Sequence, residues 1–356
     1  MLRTSYSKKS ILLVLAVMLI ALLAAGCGKS KEEAGGAPGA GEGKVIATYT
    51  DGKVTETEFN KYTTFYGVFM NQQADMYLSI PQLKEQVLRQ YIAYKVLYAK
   101  IDNAAKDKVK AEAGKFYDNF KTNGIDKDAE LKKKLDTGGL DEEGIKYFYT
   151  VLTVIQQDQE GKVTDADVKK EYDSTKDDFN VISVRHILIG TVDPQTGAEK
   201  RKDEEALKIA KEVKQKLDAG GDWKALAKQY SEDDGSKENG GLYENQQAKA
   251  WVAEFKDAAN KQEIGKVGDP VKSSYGYHVM EVEKRTPTPF DKLKAEDLTG
   301  LKQAVAAAKM NDFVTKDLEK LNVKITLPEA ATDAGKTNDT TTKDDAAKTD
   351  EKTGTK

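Results

Sequence analysis

The sequence predicts an α+β chain in which a compact α+β domain, residues 181–285, is inserted between two parts of a mainly helical domain, 44–180 and 286–328. Three observations point there. Apolar residues recur at helical spacing on both sides of the middle region. From Val181 the pattern changes to strand-like runs alternating with helices. Two short strand-like segments, at Val45 and at Asn322, stand at opposite ends without obvious neighbours.

The N-terminus comes first. Arg3, Lys8 and Lys9 precede an apolar run from Ile11 to Leu23, which leads into Ala24-Ala25-Gly26-Cys27. The run is shorter than the roughly 20 residues a spanning helix prefers, and small residues close it. Residues 1–26 therefore read as a signal peptide rather than a retained anchor. Leu23 to Cys27 resembles a bacterial lipobox, which implies that Cys27 is lipidated and becomes the first residue of an extracytoplasmic protein on the cell membrane. Buried hydrocarbon contributes about 0.8 kcal/mol per methylene, and stable anchoring takes more than one chain. Cys27 is the one cysteine. Its commitment to lipid removes disulfides, thiol catalysis and cysteine metal sites together. The rest of 27–43 is Gly-rich and polar, a flexible spacer of about 20 Å reach.

Val45 to Tyr49 reads as a strand and Asp51-Gly52 as a turn. Thr55-Glu56-Thr57-Glu58 has the form of a capping box opening a helix, with Phe59, Tyr62, Tyr66 and Phe69 at helical spacing. Pro81 opens a longer helix with Leu83, Val87, Tyr91, Tyr94, Tyr98 and Ile101 on one broad face. Those aromatic positions favour core packing over a client-lined cleft. Ile145, Phe148, Leu152 and Ile155 mark another stripe, and Thr164 to Asp167 starts a further helix.

The middle domain opens with Val181 to Ile189 as a buried strand. Asp203 to Ala219 forms an amphipathic helix closed by Gly220-Gly221, and Asp222 caps a short helix with Trp223, Leu226 and Tyr230. A polar loop, Ser231 to Gly241, leads to a helix around Val252 to Asn260 and to strands near Val271 and from Tyr277 to Val282, in a βααβαββ-like order. After Pro287 and Pro289, Leu293, Leu298, Leu301, Val305, Met310 and Phe313 mark the last helix, and Asn322 to Leu327 alternates as a strand. A lone strand needs a partner, so this segment is expected to pair with Val45 to Tyr49. Residues 329–356 are Thr, Asp and Lys without a large apolar side chain, a composition that favours disorder.

Chemistry concentrates in the middle domain. The chain has two histidines, His186 on the first strand of that domain and His278 on its last. His186 alternates in phase with Val184 and Leu188, and His278 with Met280 and Val282, so both point to one side of the sheet. Two imidazoles without a clustered third ligand make a poor metal site, and neither a metal nor a cofactor is expected. A formal charge of −3 spread over interspersed Lys and Asp/Glu gives no basic face, which excludes a nucleic-acid partner.

Three blocks, Val184 to Ile189, Tyr230 to Gly241 and Val271 to His278, stand in an order and spacing that resemble the parvulin family of peptidyl-prolyl isomerases. With the lipobox, the flanking helices and the polar tail, the whole chain resembles the PrsA type of extracytoplasmic foldase. The resemblance implies isomerase activity on unfolded or partly folded exported polypeptides, and a homodimer is plausible on that ground alone. It assigns His186 and His278 to the paired histidines, Asp233 to the acidic position facing the amide, and Ser273 to a hydroxyl linking the histidines. Leu242, Trp251 and Phe255 match the apolar positions that hold the proline ring, and Tyr275 joins them as a substrate contact. The sequence departs from the family at Trp251, usually methionine, through Leu242 to Asn245, and at Asn260 and Gln262. Two other functions share some of these features: a holdase whose domain only binds clients, and a solute-binding lipoprotein, for which the three blocks have no reason to occur.

Overall fold

Two short strands open the described chain, a run of helices follows to Phe179, and strands and helices intermix from Val181 onward. The computed structural model describes residues 37–71, 73–193 and 196–327. The segment expected as a signal peptide, Cys27, most of the expected spacer and the expected polar tail lie outside them. The chain divides into two units, one comprising residues up to Leu152 and from Lys316 onward, the other Thr153–Thr315.

In the first unit the two end strands meet. β1 (Val45–Tyr49) pairs antiparallel with β2 (Gly52–Thr55) on one side and with β7 (Lys324–Ile325) on the other, in the order β2-β1-β7. Ala47 stands opposite Ile325 and Thr48 opposite Lys324. The expected pairing of the chain ends is present, although β7 is shorter than the alternation from Asn322 to Leu327 implies.

The helices of this unit are α1 (Glu56–Phe65), α2 (Ala74–Ser79), α3 (Pro81–Lys100), α4 (Asn103–Asn123), α5 (Ala129–Thr137) and α6 (Glu142–Gly161), the division between units falling within α6. Thr55 caps α1 by accepting the Glu58 N–H. The return half of the expected capping box is replaced by another contact. Glu58 turns inward, where its Oε1 accepts from the Tyr91 hydroxyl at 2.7 Å and from Lys95 Nζ at 2.5 Å. An acid with a buried tyrosine and a lysine within reach gains a charge-assisted pair that the Thr55 N–H alone does not offer. The aromatics are core: the Tyr62 and Tyr91 rings stack at 4.3 Å, and Phe148 stands edge-on to Tyr62 at 5.7 Å. In α3, Leu88, Ile92 and Leu97 are buried beside the expected stripe, so its middle turns are enclosed on most sides.

The second unit holds a four-stranded antiparallel sheet in the order β4-β3-β6-β5: β3 (Val181–Gly190), β4 (Leu242–Gln247), β5 (Val271–Ser273) and β6 (Gly276–Thr286). One face presents Ile187, Ile189, Tyr277 and Val279 to Ala206, Ala210, Val213 and Leu217 of α8 (Asp203–Asp218) and to Leu226 and Ala227 of α9 (Trp223–Tyr230). The other presents Ile182, Val184, Met280 and Val282 to Phe255 and Ala259 of α10 (Ala253–Lys261).

Helices α7 (Asp165–Thr175) and α11 (Ala295–Asp312) belong to this unit as well. Thr164 and Asp167 form the reciprocal capping box at α7. Val168, Phe179 and Leu301 then form a shared apolar cluster. Of the α11 stripe, Leu298 and Leu301 pack in this cluster, together with Leu293 just ahead of the helix.

Candidate active site

The site grows from the two central strands. In the β3–β6 ladder His186 stands opposite Met280, and His278 opposite Leu188, so the imidazoles are diagonal neighbours on the face that α10 covers. Both histidines are 4% exposed. Their Nδ1 atoms lie 3.3 Å apart, and His186 Nε2 reaches Asp233 Oδ2 at 2.9 Å. At the other end, Ser273 Oγ lies 2.8 Å from His278 Nε2. The result is a continuous line, Ser273, His278, His186, Asp233. The hydroxyl expected to link the two histidines bonds His278 alone, because the rings already touch.

Backbone clips set Asp233. The Ser231 hydroxyl accepts the N–H groups of Leu188 and Asp233, and the Glu232 N–H donates to the Leu188 carbonyl at 2.8 Å, tying the loop to β3. The loop closes at Gly240 and Gly241, both at positive φ. At Gly241 (φ +75°) a Cβ would stand 2.0 Å from the His186 carbonyl oxygen, so only glycine admits the close approach through which Gly241 accepts the His186 N–H.

Three donors converge on Asp233 Oδ2: His186 Nε2–H, the Ser236 hydroxyl, and the Tyr243 hydroxyl at 3.0 Å. Burial opposes the charged form of Asp233. The hydrogen bonds from His186, Ser236 and Tyr243, with the field of His186, outweigh it and hold the carboxyl well below the usual carboxylate range. An ionised carboxylate only accepts, so His186 Nε2 carries a proton. Burial and the neighbouring His186 lower His278 to about 3, which keeps it neutral. Burial and the Asp233 charge push Tyr243 up to about 12, so its hydroxyl remains a donor.

An apolar wall flanks this polar line. Phe255, 3% exposed, stands edge-on to both imidazoles, at 5.2 Å from His186 and 5.1 Å from His278. Trp251 packs on Phe255 at 5.1 Å.

The structure therefore brings together His186, Asp233, Ser273, His278, Trp251 and Phe255. It does not bring in Leu242. That residue pairs with Arg185, which alternates in phase with Ile187 and Ile189 and so belongs to the opposite face. Tyr243, one residue on, takes the site position, with its ring 5.5 Å from His186. Tyr275 is 45% exposed and contributes its N–H to Ser273 Oγ. Ser236 and Tyr243 are the residues that sequence reasoning missed. The position of Ser236 three residues after Asp233 was the one available signal, since Leu242–Gln247 shows no apolar alternation that would single out Tyr243.

The departures at Asn260 and Gln262 have structural uses. Asn260 bonds Asn180 and the Asp177 carbonyl, and Gln262 donates to the carbonyls of Lys266 and Met280. They fasten α10 to its surroundings.

Comparison with known proteins bears on the same region. The family profile described as the PPIC-type PPIase domain matches residues 169–286. Foldase protein PrsA 4 of Bacillus cereus is 32% identical over 293 residues, covering 79% of this chain and 85% of that protein. Foldase protein PrsA 3 of the same species is 32% identical over 324 residues, covering 88% and 92%. A crystal structure of a peptidylprolyl isomerase (PrsA) from Bacillus anthracis is 28% identical and covers 67% of this chain and 99% of that one, with a TM-score of 0.44.

Proposed function

The chain belongs to the PrsA family of foldases and carries a peptidyl-prolyl cis–trans isomerase domain, and from that premise we propose that it is a lipid-anchored foldase that turns X-Pro bonds without covalent chemistry, between the Asp233 carboxylate and the Trp251–Phe255 wall. The barrier to rotation is the resonance of the amide, about 18–20 kcal/mol, and unaided exchange takes tens to hundreds of seconds. Resonance places negative charge on the carbonyl oxygen. Twisting returns that charge to nitrogen.

A fixed carboxylate beside the carbonyl oxygen therefore repels the planar amide more than the twisted one. Only such a difference between ground and transition state accelerates rotation. Asp233 suits this task because His186, Ser236 and Tyr243 occupy Oδ2, while Oδ1 takes no hydrogen bond from the described residues. That trio of donors is the observation that carries the reading. A neutral His278 adds no cation to offset the field. Phe255 and Trp251 grip the proline ring equally in both states, which holds the substrate while the carbonyl side turns. No nucleophile is needed, since rotation neither makes nor breaks a bond.

The anchor at Cys27 and its Gly-rich spacer place this chemistry where exported chains emerge, and the helical unit holds them. Isomerisation of a proline peptide by the soluble chain provides the test. Asp233→Ala lowers kcat/KM by about 100-fold, the scale of losing a preorganised electrostatic group, and Phe255→Ala raises KM. Activity indifferent to Asp233→Ala and His278→Ala together removes the site assignment.

A further inference from the structure

We infer that Asp297, a buried carboxylate on α11 beyond the matched isomerase region, is a positioning residue for the wall that grips proline. The inference rests on the reading of Trp251 and Phe255 given above. Asp297 is 1% exposed. Its Oδ1 accepts from Lys249 Nζ, and its Oδ2 accepts from Gln247 Nε2 at 3.1 Å. Both donors lie on the short stretch that leaves β4, makes a single tight turn over Ala248–Ala250 and delivers Trp251.

That stretch is held from two sides. The Ala248 N–H donates to the Asn180 carbonyl at 2.9 Å, ahead of β3, and the Trp251 N–H donates to the Ala248 carbonyl at 3.1 Å. Lys249 Nζ also stands 5.5 Å from the Phe179 ring. Asp297 supplies the opposing side, where its two bonds fix the side chains on either flank of Ala248. Trp251 then meets Phe255 at 5.1 Å.

A carboxylate is a costly choice for this place. Leu293, Leu298 and Leu301 nearby on the chain pack in an apolar cluster, and a buried acid gains stability only if its partners are well placed. Its Lys249 partner is 40% exposed at the side chain and would be solvated without it. What the carboxylate adds over an apolar residue is direction: two donors drawn to fixed points set the path of residues 247–251. Loosening that path shifts the wall under the planar and the twisted amide alike, which weakens binding without changing the barrier between them.

The full chain serves for the test, with kcat and KM measured on a proline peptide. Asp297→Asn raises KM by about fivefold while kcat stays within about twofold, the signature of lost uniform binding. Lys249→Arg, which keeps the pair, retains the wild-type KM. The chain has two tryptophans, so in a Trp223→Phe background the emission of Trp251 reports the wall directly and shifts to the red in Asp297→Asn. A merely structural role would lower the active fraction, and hence kcat, with KM and Trp251 emission unchanged in the folded protein. That result overturns the inference. Should Asp297→Asn fail to fold, Lys249→Gln carries the same expectation and the same reversal. Phe255→Ala tells the two readings apart: a raised KM there with a wild-type KM in Asp297→Asn leaves the wall intact and removes Asp297 alone.

Discussion

Tyr243 stands one residue after Leu242 on β4, and its hydroxyl reaches Asp233 Oδ2 at 3.0 Å while its ring packs near His186. Tyr243→Phe keeps the ring and removes one of three donors. A hydrogen bond to a charged group contributes about 1.5–3 kcal/mol, so kcat/KM is expected to fall by roughly 10- to 150-fold with the fold retained. Steady-state kinetics with a melting curve on the same sample check this, and an unchanged kcat/KM removes Tyr243 from the site. His278 supplies a second prediction. Its folded pKa, about 3, lies below the ordinary histidine value of 6.5. Between those values the unfolded chain binds a proton that the folded chain does not, so stability rises with pH through that window and levels off above it. Thermal melts of wild type and His278→Gln, taken from pH 4 to 8, should differ in slope below about 6.5. The ring protons of His278 should not titrate there in an NMR series.

Among the elements, the ones easiest to foresee were those whose burial is one-sided. The amphipathic α8, the caps at Asp222 and Thr164, and the placement of both histidines on one face of β3 and β6 follow from spacing alone. β4 could not be placed on residues by alternation. It is an edge strand whose Glu244, Asn245 and Gln246 face solvent, and Asn245 at φ +52° breaks its register, so no apolar alternation marks it. The family resemblance assigns Leu242 to the proline-ring wall, whereas the bulge and strand pairing of β4 put Tyr243 beside His186. Glu58 misled in the opposite direction. Its spacing from Thr55 fits a capping box, yet Tyr91 and Lys95, which claim its side chain, lie more than thirty residues away. Glu58→Ala leaves a largely buried lysine without its acid and is expected to destabilise the protein by about 3 kcal/mol. Denaturant unfolding measures it, and a loss below about 0.5 kcal/mol, the range of ordinary surface substitutions, contradicts the role given to Glu58.

Across the whole molecule, each unit mixes near and far segments of the chain. Pairing of β1 with β7 was legible because two orphan strands need each other, whereas the place of α7 and α11 in the sheet-bearing unit rests on Val168, Phe179 and Leu301, whose spacing names no partner. The proposed anchor acts at this scale too. Cys27→Ala should move the protein from the membrane fraction to the soluble one with its isomerase activity intact, and retention in the membrane fraction contradicts lipidation at Cys27. Rotation at this site turns on the charge of one carboxylate. Asp233→Asn removes that charge and keeps the shape, so exchange of a proline peptide followed by NMR is the most direct measurement. A fall of about 100-fold in kcat/KM with peptide binding preserved is expected; an Asp233→Asn enzyme as fast as wild type would show that rotation does not depend on the carboxylate.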